Sequence, residues 1–114
     1  MSLQFLQGQT STVSPTRKVI TLTTGQTPYT LAALTQDVWL RVPVPAGGDF
    51  TVNLPAATGS GFKVSIKRID NVAHNVQVHP NGTDTIDSVN ANIVMTAGFM
   101  ELDYVDGAAG AWDI

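Results

Sequence analysis

The chain has no cysteine in its 114 residues, so a disulfide framework, a thiolate metal site and a thiol nucleophile are all excluded. Charge is scarce as well. Asp, Glu, Lys and Arg make up 13% of the residues, roughly half the usual share of a soluble domain. Only six are Lys or Arg against nine Asp or Glu, and the net charge is −3. That balance leaves no clustered cationic track for a phosphate backbone, so nucleic acid is not expected as a partner. No apolar run approaches the ~18 residues of a membrane span. The opening stretch, MSLQFLQGQT, has neither a basic leader nor a continuous apolar core, so the chain reads as soluble, membrane-free and not exported through the Sec route. Thr (fourteen) and Val (thirteen) fill the space that charge leaves, and both favour strands. A surface with so little charge fits either a partner-covered protein or a Thr/Ser/Asn-coated β domain.

The stretch from Asp49 to Asp87 organises the rest. Phe50, Val52 and Leu54 alternate with Thr51 and Asn53, Pro55 stops the run, and Ala56 to Gly61 (AATGSG) forms a turn. Val64 and Ile66, followed either by Arg68 through its aliphatic stem or by Ile69 after a slip, continue inward against Lys63, Ser65 and Lys67, and Val76 with Val78 follows before His79-Pro80-Asn81-Gly82. Strand, turn, strand, turn, strand predicts an antiparallel meander. Before it, Ile20 and Leu22 face inward, as do Tyr29 and Leu31. Val38, Leu40, Val42 and Val44 alternate with Trp39, Arg41, Pro43 and Pro45. Two prolines on one side predict an edge strand, with Trp39 and Arg41 turned to solvent or a partner.

After the meander, residues 92–96 and 99–105 read as strands. Asp106-Gly107 signals a hairpin, and 111–114 pairs back as the last strand, where Trp112 either caps the core or joins a surface platform of aromatics. Eight or nine short strands with turns every 8–12 residues predict one all-β domain over 17–114, an antiparallel sandwich or jelly roll, preceded by an extended arm over 1–16. No internal repeat stands out. Leu3, Phe5 and Leu6 give the arm a short apolar patch suited to docking on a neighbour.

Few residues point to chemistry. His74 and His79 lie five apart with Val76 and Val78 between, which on one strand sends them to opposite faces. Asp84 and Asp87, behind Asn81, are oxygen ligands at close spacing, but the run lacks the D-x-D-x-D order of a calcium loop, and Asx-turn capping explains it equally well. Glu101 and Asp103 share a strand face with no pocket signalled around them. Ser60 sits in TGSGF, a turn and not a nucleophile elbow, and Asp103 with Asp106 flanks a hairpin as solvated carboxylates. No enzyme activity, cofactor or metal is expected.

Four segments, TVNLPAATGSG, VSIKRID, VQVHPNGTDTID and FMELDYVDGAAGAWDI, together resemble a β-module that recurs in virion proteins of tailed phages. The resemblance spans about residues 49 to 114. It implies a β-rich, usually trimeric building block of head decorations, head fibres or tail fibres, without catalysis. The reading is therefore a homotrimeric capsid decoration (cementing) protein or head-fibre base on the virion surface, bound to the major capsid protein. Leu3, Phe5, Leu6, Trp39 and Arg41 are the candidate capsid contacts. The alternative is a receptor-binding module of a tail fibre, whose Trp39, Trp112, Tyr29 and Tyr104 would form a stacking platform for a host glycan.

Overall fold

The computed structural model describes residues 17–114. The alternating segments form strands where expected: β1 (Lys18–Thr21), β2 (Tyr29–Thr30), β3 (Val38–Val42), β4 (Phe50–Asn53), β5 (Lys63–Arg68) and β6 (Val76–His79). Their pairing is not the expected one. β1, β3 and β5 lie side by side in one sheet, β2, β4 and β6 in a second, and every contact within these two sets is parallel. The chain therefore winds between two sheets as a short β-solenoid instead of folding back as a meander. The antiparallel sandwich expected from the sequence is corrected accordingly; the all-β class stands.

The reason lies in the connections. A tight antiparallel reversal is favoured by a two-residue turn of the mirror type. Between β4 and β5 the chain runs through Leu54 to Phe62, and between β5 and β6 through Ile69 to Asn75, long enough to round a corner into the opposite sheet. The register shows why no repeat is legible. Lys18 pairs with Val38 and Val38 with Val64, so one coil takes 20 residues and the next 26; Tyr29 pairs with Val52 and Val52 with Val78, giving 23 and 26.

Aspartates at the corners tie one coil to the next. The carboxylate of Asp37 accepts the Lys63 amide at 3.0 Å, Asp49 the Asn75 amide at 2.9 Å and Asp70 the Val44 amide at 2.7 Å, each 26 positions away. Asp84 likewise accepts the Ala57 amide at 2.8 Å and Asp87 the Ile114 amide at 2.9 Å. Corner amides have no strand partner, and an unpaired buried donor costs about 1–3 kcal/mol, so these carboxylates are structural.

Inside, matching positions stack. Val38 lies beside Val64, Leu40 beside Ile66, Phe50 beside Val76 and Val52 beside Val78, all buried. β3 is thus an interior strand and not an edge. Its prolines fall after Val42, the last paired residue, and so remove no ladder donor.

The C-terminal third closes the solenoid. β8 (Ile93–Met95) runs antiparallel on β6 and β9 (Glu101–Ala108) antiparallel on β5. β10 (Ala111–Asp113) returns along β9, and β7 (Thr85–Ile86) pairs parallel with β10 at the far edge. The hairpin reverses at Ala109-Gly110, with Gly110 at φ 78°, and not at Asp106-Gly107, which lies inside β9 beside a register shift. Trp112 and Tyr104 are fully buried (0% exposed), and so is Arg68, whose guanidinium donates to the carbonyls of Val72, Met95 and Thr96. Among the described residues no helix is long and apolar enough to cross a membrane.

Candidate functional site

The outward side of the six-stranded sheet is the surface on which the sequence placed Trp39 and Arg41. Because β1, β3, β5 and β9 are adjacent and in register, outward residues form rows across four strands. One row is Val19, Trp39, Ser65 and Asp103; the next is Thr21, Arg41, Lys67 and Glu101. Trp39 stands near the centre. Its indole Nε1 donates to Glu101 Oε1 at 3.2 Å, which carries the ring from β3 across β5 to β9. The small Ser65 lies between and is buried although it points outward (3% exposed).

Cations surround the ring. The guanidinium of Arg17 lies 4.6 Å from the centroid of Trp39 and that of Arg41 5.9 Å away, both within cation–π range. Arg41 is also held by Thr21, donating to its Oγ1 at 3.2 Å. Lys67 donates to the Phe99 carbonyl, and Lys63 pairs with Asp103 at 3.4 Å. This last pair is half exposed and contributes little to stability. Four of the six Lys and Arg residues thus share one face, with Glu101 and Asp103, in a chain of net charge −3. The result is a braced aromatic and cationic surface.

The carboxylate that the sequence misjudged is Asp106. It is buried (2% exposed), not solvated. It accepts from the amides of Thr58, Gly59 and Ser60 and from the hydroxyls of Thr58 and Ser60, at 2.6 to 3.2 Å. Burial by itself would raise its pKa; the hydrogen bonds from Ser60, Gly59 and Thr58 outweigh that and hold the carboxyl below the ordinary value. Ser60 is therefore a turn residue bound to this acid, as its sequence context suggested.

The remaining candidates do not assemble a reactive centre. Asp84 and Asp87 each serve a different backbone amide, and among the described residues no group of three or more His, Cys, Asp or Glu converges on one point. His74 lies outside β6, 3.7 Å from Asp49, while His79 ends that strand. Hydrogen bonds from Gln77 and from the Asn75 amide keep the Asp49 carboxyl below its usual pKa. The four-aromatic platform is not formed: Trp112 and Tyr104 are core residues, which leaves Trp39 on the outer sheet and Tyr29 at the solenoid's first coil. Leu3, Phe5 and Leu6 lie outside the described residues. Glu101 and Arg17 contribute to this face in a way the sequence did not show: Glu101 stood out only as a carboxylate beside Asp103, and Arg17 only as a basic residue. Glu101 is 62 positions from Trp39, and no local signal links them. Compared with family models, with curated proteins and with solved structures, the chain matches none.

Proposed function

We propose that the chain is a structural protein of a tailed-phage virion, a homotrimeric capsid decoration protein or head-fibre base. It attaches to the major capsid protein through the face built on Trp39 and Arg41. The observation that carries this reading is the convergence of the segments in which the phage resemblance lies. The turn AATGSG is held by Asp106 of the terminal segment, Ala57 is held by Asp84 of the NGTDTID corner, and Asp87 of that corner holds Ile114. Thr58 bridges to Ala109, and Trp112 pairs with Ile86. Segments scattered over 60 positions thus form one closing unit, which supports their being a module and not four independent turns.

A binding role rather than a catalytic one fits the use of the acids. Asp37, Asp49, Asp70, Asp84, Asp87 and Asp106 all accept backbone amides, which leaves them as braces. The braced outer face suits protein contact: an aromatic with flanking Arg is the composition enriched at interface centres. The glycan alternative is less favoured because Arg17 and Arg41 stand over the one exposed-face tryptophan, where a sugar ring would stack.

The test is cosedimentation with empty capsid shells. The wild-type protein is expected to pellet with shells and the Trp39→Ala/Arg41→Ala double variant to remain in the supernatant. Equal pelleting of both would remove the face from the contact. A glycan-array signal with no shell binding would instead favour the tail-fibre reading.

A further inference from the structure

Among the described residues Phe99 is the one aromatic that stands largely in solvent, with 57% of its surface exposed. It lies in the turn between β8 and β9, and its backbone is left-handed, at φ 57°. Gly and Asn adopt that region readily, whereas a bulky residue is strained there by its own Cβ. The ring gains no burial in return. Its neighbour Met100 packs against the core, but Phe99 does not.

The strained turn is locked from several sides. The Phe99 amide donates to the Asp70 carbonyl at 3.0 Å, and the Phe99 carbonyl accepts from Lys67 Nζ. The Arg68 amide donates to the Met100 carbonyl at 2.9 Å. The buried Arg68 guanidinium reaches the Thr96 carbonyl on this turn and the Val72 carbonyl on the turn between β5 and β6. These two turns abut: a Cβ on Gly98 would collide with the side chain of Asn71. A strained conformer persists only where its surroundings over-determine it, and such conformers gather at functional sites. Every bond that Phe99 makes here comes from its backbone, so the lock fixes the ring without using it. The adjoining turn adds a second exposed apolar side chain, Val72 (41% exposed).

Lys67, which holds the Phe99 carbonyl, belongs to the outward row of Thr21, Arg41, Lys67 and Glu101. Phe99 therefore stands at the margin of the face built on Trp39 and Arg41. We infer that Phe99 is a second anchor of that contact surface, entering an apolar socket of the protein partner whose rim carries carboxylates. The charges beside the ring specify the rim. Glu101 is engaged by the Trp39 indole, while among the described residues neither Arg41 nor Lys67 has an ion-pair partner. A phosphate surface would answer those cations but offers no socket for the ring, so a protein is the fit. A ring already held rigid loses little freedom on binding, which favours it as an anchor. The inference rests on the capsid-attachment reading and adds to it the chemistry of the partner's surface.

Thermal unfolding and cosedimentation with empty capsid shells, run on the same full-length variants, test it. Phe99→Gly is expected to keep or raise the thermal midpoint, because Gly adopts this backbone freely. The same variant should bind shells at least about tenfold more weakly than the wild type. Wild-type binding should also weaken as NaCl is raised to about 0.5 M, which screens the charges at the contact. If Phe99→Gly pellets as well as the wild type, this inference falls and the capsid reading stands. A lowered midpoint in Phe99→Gly also overturns it, since the ring would then be holding the fold. Binding that salt leaves unchanged removes the carboxylate rim. A wild-type protein that stays in the supernatant overturns the capsid reading, and this inference with it.

Discussion

Asp106 draws five donors from three consecutive residues, Thr58, Gly59 and Ser60, and so fixes the corner that leads from β4 to β5. Asn keeps its shape but presents an amide group to donors, leaving part of the corner unpaired. A hydrogen bond to a charged group is worth about 1.5–3 kcal/mol, and we predict that Asp106→Asn loses at least that much in denaturant unfolding at neutral pH. The pH dependence follows from the sign of the shift. The folded pKa lies below the unfolded one, so the stabilisation is complete above the ordinary carboxylate range and is lost as pH falls through the lower, folded value. Asp49 is shifted the same way. The gap between wild type and Asp106→Asn should accordingly narrow below about pH 4. Two buried aromatics make opposite predictions. Trp112→Ala opens a large cavity in a fully enclosed site and should cost about 3–5 kcal/mol. Tyr104→Phe should cost nothing measurable or raise the thermal midpoint, because the Tyr104 hydroxyl is buried with no hydrogen-bond partner among the described residues.

At the scale of elements, β5 is the strand on which the six-stranded sheet turns from parallel to antiparallel, with β3 on one side and β9 on the other. Trp39 bridges those two flanks over β5 by its bond to Glu101. We predict that Glu101→Lys releases the indole and adds a like charge beside Arg41 and Lys67. The tryptophan emission should shift to longer wavelength, with a stability change of only about 0.5 kcal/mol because the bond is at the surface. An unchanged emission spectrum would mean that Glu101 does not position the ring. β3 shows how an element's surroundings override its local sequence. Alternation gave the inward set Val38, Leu40 and Val42 and the outward pair Trp39 and Arg41, all as found, but the prolines after it suggested an edge. They mark the end of pairing, not its absence.

At the scale of the molecule, the low charge content has a specific distribution. Six of nine acidic side chains are occupied as acceptors for backbone amides at corners, and four of six cations gather on one sheet face. Such a molecule has little charge free to oppose self-association. We predict a homotrimer in sedimentation equilibrium at micromolar concentration, as the phage-module resemblance implies; a single species at the mass of one 12.1 kDa chain would refute it.

The sequence by itself determined the strand class, most strand positions and the inward side of the strands up to Val78. These are properties of neighbours one and two positions apart, and alternation of Val, Ile, Leu and Phe with polar residues encodes them locally. It also marked Trp39 with Arg41 as an outward pair, while Trp112 stayed open between a core cap and a surface platform until the structure buried it. Only the tertiary structure decided which strand lies beside which. An apolar face is equally satisfied by an antiparallel or a parallel neighbour, and coils of 20, 23 and 26 residues leave no constant period to read. For the same reason the role of Asp106 was hidden. Asp-Gly is a hairpin signal in the chain, whereas the donors that bury this carboxylate lie 46 to 48 positions away and meet it only after the coils have stacked.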